Sequence, residues 1–352
     1  MQLGPFSLAN RLFVAPMAGV TDRPFRQMCR YFGAGYMVGE MVSSRKELRQ
    51  SAKTLQRTNH AGEPAPIAVQ ITGVDPADMA DAARYNIDCG AQIIDINMGC
   101  PAKKVCSKWA GSALMQNEQL AGRILDAVVA ACAPHNAPVT LKMRTGWCAA
   151  HKNAVALARM AESAGVQMVA VHGRTREQGY KGEAEYDTIA AVKAAVRIPV
   201  VANGDIDSPE KARTVLQATG ADAVMIGRAA MGRPWLFREI AHYLATGQRA
   251  APPTVREARE AIQAHLHSHY AFYGEAAGVR SARKHIGWYV AHLPQGAAWR
   301  QTINQIADAQ AQWEQLDAYL ADLQTHYSEW PCASPAAPFP ADADSTIDLK
   351  AA

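Results

Sequence analysis

The sequence predicts an α/β protein: a (β/α)8 TIM barrel followed by an all-helical C-terminal domain. Three observations carry that expectation. Short, continuous, β-branched or apolar runs recur along the first 247 residues, each followed by a longer stretch of helical character, and after Gly247 the strand-like runs stop. Continuous apolar runs, unlike alternating ones, suit parallel strands that are buried on both faces. Eight such units in roughly 245 residues match the usual size of a closed barrel. An open doubly wound sheet would want a G-x-G-x-x-G turn after its first strand, and Ala15-Pro16-Met17-Ala18-Gly19 lacks that spacing.

In chain order the strand-like runs are Leu12–Pro16, Tyr36–Glu40, Ile67–Ile71, Ile93–Asn97, Val139–Arg144, Met168–His172, Val200–Asn203 and Ala223–Gly227. Helix starts are marked by capping acceptors at Thr21-Asp22, Asp75-Pro76 and Asp207-Ser208-Pro209-Glu210. Gly33, Gly90, Gly165 and Gly220 stand where those helices should stop. The barrel is expected over residues 1–247, with Ala250-Ala251-Pro252-Pro253-Thr254 as a linker. Residues 255–327 read as a small helical domain, with Trp288, Tyr289, Trp299, Trp313, Leu316, Tyr319 and Leu320 at helix-compatible spacings. The stretch 331–352, with four prolines and alternating Ala and Asp, is expected to be disordered.

Bulk composition narrows the class. The chain has 352 residues, 49% hydrophobic and 19% charged, which is globular and not disordered composition. Seven cysteines stand singly at 29, 89, 100, 106, 132, 148 and 332, with no C-x-x-C pair, so neither an iron–sulfur cluster nor any other metal site is expected. The odd count, the lack of a leader-like start and the lack of a spanning stretch predict reduced thiols in a soluble, cytoplasmic protein, and no obligate protein partner is evident in the sequence. The net charge is +4, and the tail after Trp330 holds three aspartates against one lysine, which leaves +6 on the rest. That excess suits a polyanionic partner.

Barrel enzymes build their sites at the C-terminal ends of the strands. Those ends are polar here: Pro16-Met17-Ala18-Gly19, Gln70, Asn97-Met98-Gly99-Cys100-Pro101, Lys142-Met143-Arg144, His172-Gly173-Arg174, Asn203-Gly204-Asp205 and Gly227-Arg228. Gly204 and Gly227 let the backbone approach a ligand, their loops are expected to lead into helix N-termini, and Arg228 adds a bidentate donor. Either Asn203-Gly204 or Gly227-Arg228 alone reads as a mere turn, but together, on consecutive last strands, they favour a phosphate cradle. Lys142 and Gln70 face the same mouth; a strand-end lysine is either a solvated charge or a stabiliser of negative charge on a ring undergoing reduction. His172 is a packing histidine, a base or a second donor to such a ring. Cys29, Cys89 and Cys132 fall in helical stretches as small hydrophobes. Cys100, between Gly99 and Pro101 just past a buried strand, is placed to give or take a proton, and position alone leaves Cys106 and Cys148 open.

The chain resembles the tRNA-dihydrouridine synthases over residues 3–325, on Ala15-Pro16-Met17-Ala18-Gly19-Val20-Thr21-Asp22, Asp95-Ile96-Asn97-Met98-Gly99-Cys100-Pro101, Leu141-Lys142-Met143-Arg144-Thr145-Gly146, Val171-His172-Gly173-Arg174-Thr175-Arg176, Ala202-Asn203-Gly204-Asp205-Ile206 and Met225-Ile226-Gly227-Arg228. Ala102-Lys103-Lys104-Val105, Arg283-Lys284-His285 and Trp288-Tyr289 are most similar to the bacterial B-type branch. The resemblance implies FMN-dependent, NADPH-driven reduction of a D-loop uridine of tRNA, U17, with hydride delivered to C6 and Cys100 protonating C5. It implies that Pro16, Met17, Ala18, Gln70, Lys142 and His172 line the flavin ring and ribityl chain. Asn203, Gly204, Asp205, Gly227 and Arg228 would hold the phosphate end, and Asn97 would orient the uracil. Arg144 and Arg174 at the mouth, and Arg280, Arg283 and Lys284 on one face of a C-terminal helix, would contact RNA. Cys106 and the tail after Trp330 fall outside the family pattern. Two other readings are a flavin barrel acting on a free pyrimidine, of dihydroorotate or dihydropyrimidine dehydrogenase type, and a non-catalytic tRNA-binding module. The first has no use for a basic helical appendix, and the second leaves Cys100, Lys142 and the phosphate loops without a reason to share one mouth.

Overall fold

The computed structural model describes residues 1–331, so the expected disordered tail lies, Pro331 apart, outside the described residues. Eight parallel strands form the barrel: β1 Leu12–Val14, β2 Tyr36–Met37, β3 Ala68–Thr72, β4 Ile93–Met98, β5 Val139–Arg144, β6 Met168–His172, β7 Val200–Asn203 and β8 Ala223–Ile226. Neighbours follow the order β2-β1-β8-β7-β6-β5-β4-β3. A parallel bridge between Val38 and Ala68 closes the ring. The single run expected over Tyr36–Glu40 is interrupted: the chain leaves the ladder after Val38 and resumes at Val42–Ser43, which pairs with Ile71 and Thr72. The cause is Glu40, whose carboxylate accepts from the Gly19 N–H (2.6 Å) and pairs with Arg57 (3.3 Å) in place of extending the strand.

Barrel helices follow the strands: α1 Arg23–Tyr31, α2 Ala52–Arg57, α3 Pro76–Asp88, α4 Glu118–Cys132, α5 Ala154–Ala164, α6 Asp187–Ala195, α7 Pro209–Thr219 and α8 Leu236–Thr246. Their starts use the expected acceptors. Asp22 receives the Phe25 N–H, Asp75 those of Ala77 and Asp78, and Ser208 that of Lys211. Gly33, Gly90, Gly165 and Gly220 follow helix ends with φ of 97°, 100°, 98° and 64°, the left-handed region in which a Cβ is strained. An N-terminal hairpin, Gln2–Leu3 with Phe6–Ser7, adds Leu3 and Leu8 to a core made inside the barrel by Phe13, Tyr36, Ile93, Met168 and Met225.

Four helices complete the described chain: α9 Val255–Tyr273, α10 Glu275–Val290, α11 Gly296–Ile303 and α12 Ala309–His326. Their core of Ile262, Leu266, Ile286, Leu316 and Leu320 is continuous with Met28 of α1, Phe32 at its C-terminal end and Trp235. The barrel and the helices are therefore held by shared apolar burial, the least directional and largest favourable term available. At this seam three buried histidines, His265 and His269 on α9 and His285 on α10, meet edge to face. Burial pushes His265 down to about 3, His269 down to about 2 and His285 well below its usual range, so all three imidazoles are neutral. Beside them Asp22, pushed up to about 6 by burial, accepts from Tyr273 Oη at 2.9 Å. No helix among the described residues is long and apolar enough to cross a membrane.

Candidate active site

Strand register brings the polar ends together. Gln70 pairs with Asp95 across β3 and β4, Asn97 with Lys142 across β4 and β5, and His172 with both Arg144 and Asn203. From these neighbours a buried hydrogen-bond chain follows. Asp95 accepts from Thr140 (2.5 Å) and from Gln70 Nε2 (2.6 Å), and Gln70 Oε1 accepts from Asn97 Nδ2 (2.7 Å). Asn97 Oδ1 then receives the N–H groups of Gly99 (3.2 Å) and Cys100 (3.0 Å). A satisfied buried network of this kind fixes geometry, because any broken link leaves a polar group unpaired. It fixes the turn that carries Cys100.

Arg144 holds the same turn from the other side. Its Nε donates to Gly99 O (2.8 Å), and its Nη1 donates to Thr175 O (2.9 Å) and Gly179 O (2.8 Å). The residue is 1% exposed, so it positions the Cys100 turn and the loop after β6. Burial, outweighing Arg144 and Lys142 nearby, pushes the Cys100 thiol up and keeps it protonated at neutral pH. Cys106, in a single helical turn Lys103–Cys106, donates to Cys100 O at 3.4 Å, whereas Cys148 lies beside His151 on the loop after β5.

Lys142 Nζ donates to Asn203 Oδ1 (3.1 Å), and Asn203 Nδ2 donates to Met225 O (2.8 Å). Burial, then the neighbouring Arg144, pulls Lys142 down to about 8, so it is still cationic at pH 7. Burial and four nearby cations (Arg144, Lys142, Arg174 and Arg228) hold His172 well below its usual range and hence neutral. Its Nε2 stands 3.4 Å from Arg174 Nη1, which fits Nε2 as acceptor and Nδ1 as the protonated nitrogen.

The last two strand ends differ from expectation in detail. Asp205 does not present a free carboxylate. It is gripped bidentately by Arg174 (2.8 and 2.6 Å), accepts from the Ala184 N–H (2.8 Å) and approaches Arg228 at 3.4 Å. Arg174, expected to contact substrate, spends its remaining donors on Lys181 O, Gly182 O and His172. All five of its N–H groups are thereby used inside the protein. The helix after β7 is not an open anion site either: Pro209 lacks an N–H and Ser208 caps the first turn. Past β8, a 3₁₀ turn Arg228–Ala230 follows Gly227 directly, and its first N–H groups have no partner within the turn. Gly204 has φ +125°, and a Cβ there would stand 2.7 Å from Ala184 Cβ, so glycine is required.

A cavity of about 1680 Å³ opens at this mouth. Pro16, Met17, Lys142, His172, Asn203, Gly204, Asp205, Gly227 and Arg228 line it, and it continues to Trp288 and Tyr289 of α10 and to His292 just past it. Gln70, Asn97 and Cys100 stand outside that wall, and Ala18 lies on the turn closed by Thr21 N–H to Met17 O (3.0 Å). Sequence reasoning missed Asp95 and Thr140, although a carboxylate inside the apolar run Ile93–Met98 was a signal. It also missed Tyr180, whose ring lies under Arg228 (4.7 Å) and 6.1 Å from His172, on a loop that no strand end marks.

The basic face expected on α10 meets other parts of the fold. Arg280 is exposed, but Arg283 Nη2 donates to Ile306 O (3.0 Å) and Lys284 Nζ donates to Gly19 O, next to Asp22 and Glu40. Both side chains reach carbonyls that the fold brings near, because helix spacing sets a face but tertiary packing decides what that face meets. They tie the helices together and to the barrel mouth.

Comparison with known proteins adds the family and the fold. The chain is 58% identical over 333 residues to tRNA-dihydrouridine synthase B of Xanthomonas axonopodis pv. citri, covering 94% of this chain and 99% of that protein. It is 56% identical over 326 residues to the Pseudomonas aeruginosa protein of the same name, covering 93% and 97%. It is 53% identical over 323 residues to the Salmonella typhimurium one, covering 92% and 100%. Among solved structures, morphinone reductase (TM-score 0.51, 15% identity, covering 72% of this chain and 90% of that one) shares the barrel fold. So does a complex of 2-naphthoyl-CoA reductase with 2-naphthoyl-CoA (TM-score 0.55, 12% identity, covering 69% and 51%). The model of the family described as Dihydrouridine synthase (Dus) matches residues 13–325, and the chain belongs to that family.

Proposed function

We propose that this chain reduces the C5–C6 double bond of a uridine in the D-loop of tRNA, U17, to 5,6-dihydrouridine, using bound FMN and NADPH in the cytoplasm. The observation that carries the reading is Cys100: a thiol kept protonated by burial and held on a turn fixed from two sides by Asn97 and Arg144. The relatives' names supply the tRNA substrate.

The residues present fit a flavin mononucleotide. Gly204, where a Cβ would collide with Ala184, and the Gly227–Arg228 turn form a cradle with a cationic side chain for the phosphate end. Asp205 contributes by orienting Arg174 and Arg228, since a carboxylate would repel a phosphate. Met17 and Pro16 offer an apolar wall, and Lys142 and neutral His172 offer donors to a ring. When bound, the flavin supplies the hydride for C6.

The chain supplies orientation and a proton. Lys142 places positive charge where negative charge gathers on the ring system. Asn97 Nδ2 retains one hydrogen beyond its bond to Gln70 with which to orient the uracil. The Cys100 thiol then gives its proton to C5 as general acid. The cavity, reaching from the mouth to Trp288 and Tyr289, has room for a cofactor and an extruded nucleotide. The helices over residues 255–327, with exposed Arg280, form the side that would hold the RNA. The test is the purified protein's absorbance: a yellow preparation releasing FMN on denaturation is expected, and a colourless one that FMN cannot reconstitute contradicts the proposal.

A further inference from the structure

The loop that joins Cys100 to Gly111 carries features that reduction of the base does not use. Residues 101–110 read Pro-Ala-Lys-Lys-Val-Cys-Ser-Lys-Trp-Ala, three lysines with no acidic residue. Lys103, Lys104, Lys108 and Trp109 are all exposed. Among the described residues none of Lys103, Lys104 and Lys108 forms an ion pair, unlike Lys46, Lys152 and Lys193. Trp109 is 62% exposed and has φ +60°. A bulky side chain in left-handed backbone and a large ring left in water are both unfavourable.

The loop is nonetheless well defined. Trp109 N–H donates to Cys106 O (2.9 Å) and Ala110 N–H to Val105 O (3.3 Å). Ser112 donates to Cys100 O through both its N–H (3.1 Å) and its Oγ (2.8 Å). At Gly111 a Cβ would stand 2.9 Å from Cys100 O and 3.2 Å from Cys100 Cβ. Trp109 is two residues from that contact, so its Cα lies within roughly 7 Å of Gly111's. A strained, exposed indole thus sits on the same short, lysine-bearing loop as the proposed acid.

We infer that this loop is a nucleobase platform: Trp109 stacks on an unpaired base flanking the target uridine, while Lys103, Lys104 and Lys108 hold the adjoining phosphates. The inference rests on the tRNA reading above. Extruding a base into the cavity strips its neighbour of a stacking partner, and an aromatic face replaces that partner whatever the base. The charge pattern favours RNA over an apolar protein surface, because cations without acids would be left unpaired in an apolar interface.

Binding and steady-state kinetics of the flavin-loaded full chain test this, with unmodified tRNA titrated at several salt concentrations. Trp109→Ala is expected to raise Kd and KM roughly tenfold with kcat held, and Trp109→Phe to recover most of the loss. Trp109→Gly, which relieves the backbone strain, is expected to melt no lower than the native chain and yet bind as weakly as Trp109→Ala. Replacing Lys103, Lys104 and Lys108 by Ala together is expected to flatten the slope of log Kd against log salt by about two units, whereas the Trp109 variants leave it unchanged. Native affinity in Trp109→Ala, or a loss confined to kcat, would overturn the platform alone. A native chain that binds no tRNA would overturn both the platform and the reading beneath it.

Discussion

At Cys100 the surroundings select one protonation state. Burial holds the thiol neutral, and Asn97 and Arg144 hold its turn, so the group is placed to donate a proton and poorly placed to act as a thiolate nucleophile. Cys100→Ala is expected to lower turnover by about 10²–10⁴ while flavin content and tRNA affinity persist, and Cys106→Ala to stay near native turnover, as single-turnover kinetics would show. Lys142 makes the opposite choice: even with burial pulling it down to about 8, it remains a cation at pH 7. Activity should therefore fall as pH rises through about 8, and Lys142→Met should lower activity and abolish that alkaline limb. A limb that persists in the variant assigns it to another group. Cys100 and Lys142 were legible in the sequence because strand ends are legible. The roles of Arg144, Arg174 and Asp205 were not, because their partners (the carbonyls of Gly99, Thr175, Lys181 and Gly182, and each other) come from loops that no periodicity reveals.

At the level of elements, the eight strand runs were visible because parallel strands buried on both faces leave an unbroken apolar signature. The break in β2 was hidden, because Glu40 is drawn off by Gly19 and Arg57, residues distant in sequence or on another element. The α9–α10 seam was also unreadable: helical spacing aligns His265 with His269, but only packing sets His285 and Asp22 against them. The seam makes stability depend on pH with a definite sign. His265, His269 and His285 have folded-state pKa values depressed below the ordinary 6.5, so below pH 6.5 the unfolded chain takes up protons that the folded chain refuses. Each such group costs about 1.4 kcal/mol of stability per pH unit of acidification. Asp22, raised to about 6, acts the other way between pH 6 and its ordinary 3.8, taking up its proton first in the folded chain. Three groups against one leave a net loss on acidification. The thermal midpoint should drop steeply between pH 6 and 4, and His269→Gln should make that drop shallower by about one proton's worth. An unchanged slope would show that His269 is protonated in the folded chain.

On the scale of the whole molecule, the barrel and the C-terminal helices share the core around Phe32 and Trp235, and one cavity runs from the strand ends to Trp288 and Tyr289. The sequence marked the change from strands to helices near Gly247, but the seam itself joins residues more than two hundred positions apart, as in Tyr273 to Asp22 and Lys284 to Gly19. Arg283 and Lys284 thus shape the mouth from within, and under the proposed function RNA contact would fall to exposed groups such as Arg280 and the loop around Trp109. The most direct measurement is dihydrouridine mapping at single-nucleotide resolution in tRNA from cells lacking this chain, complemented with the native or the Cys100→Ala form. Loss of dihydrouridine at position 17, restored by the native chain and not by Cys100→Ala, is the expected result. An unchanged dihydrouridine pattern in the deleted cells, or full restoration by Cys100→Ala, would contradict it.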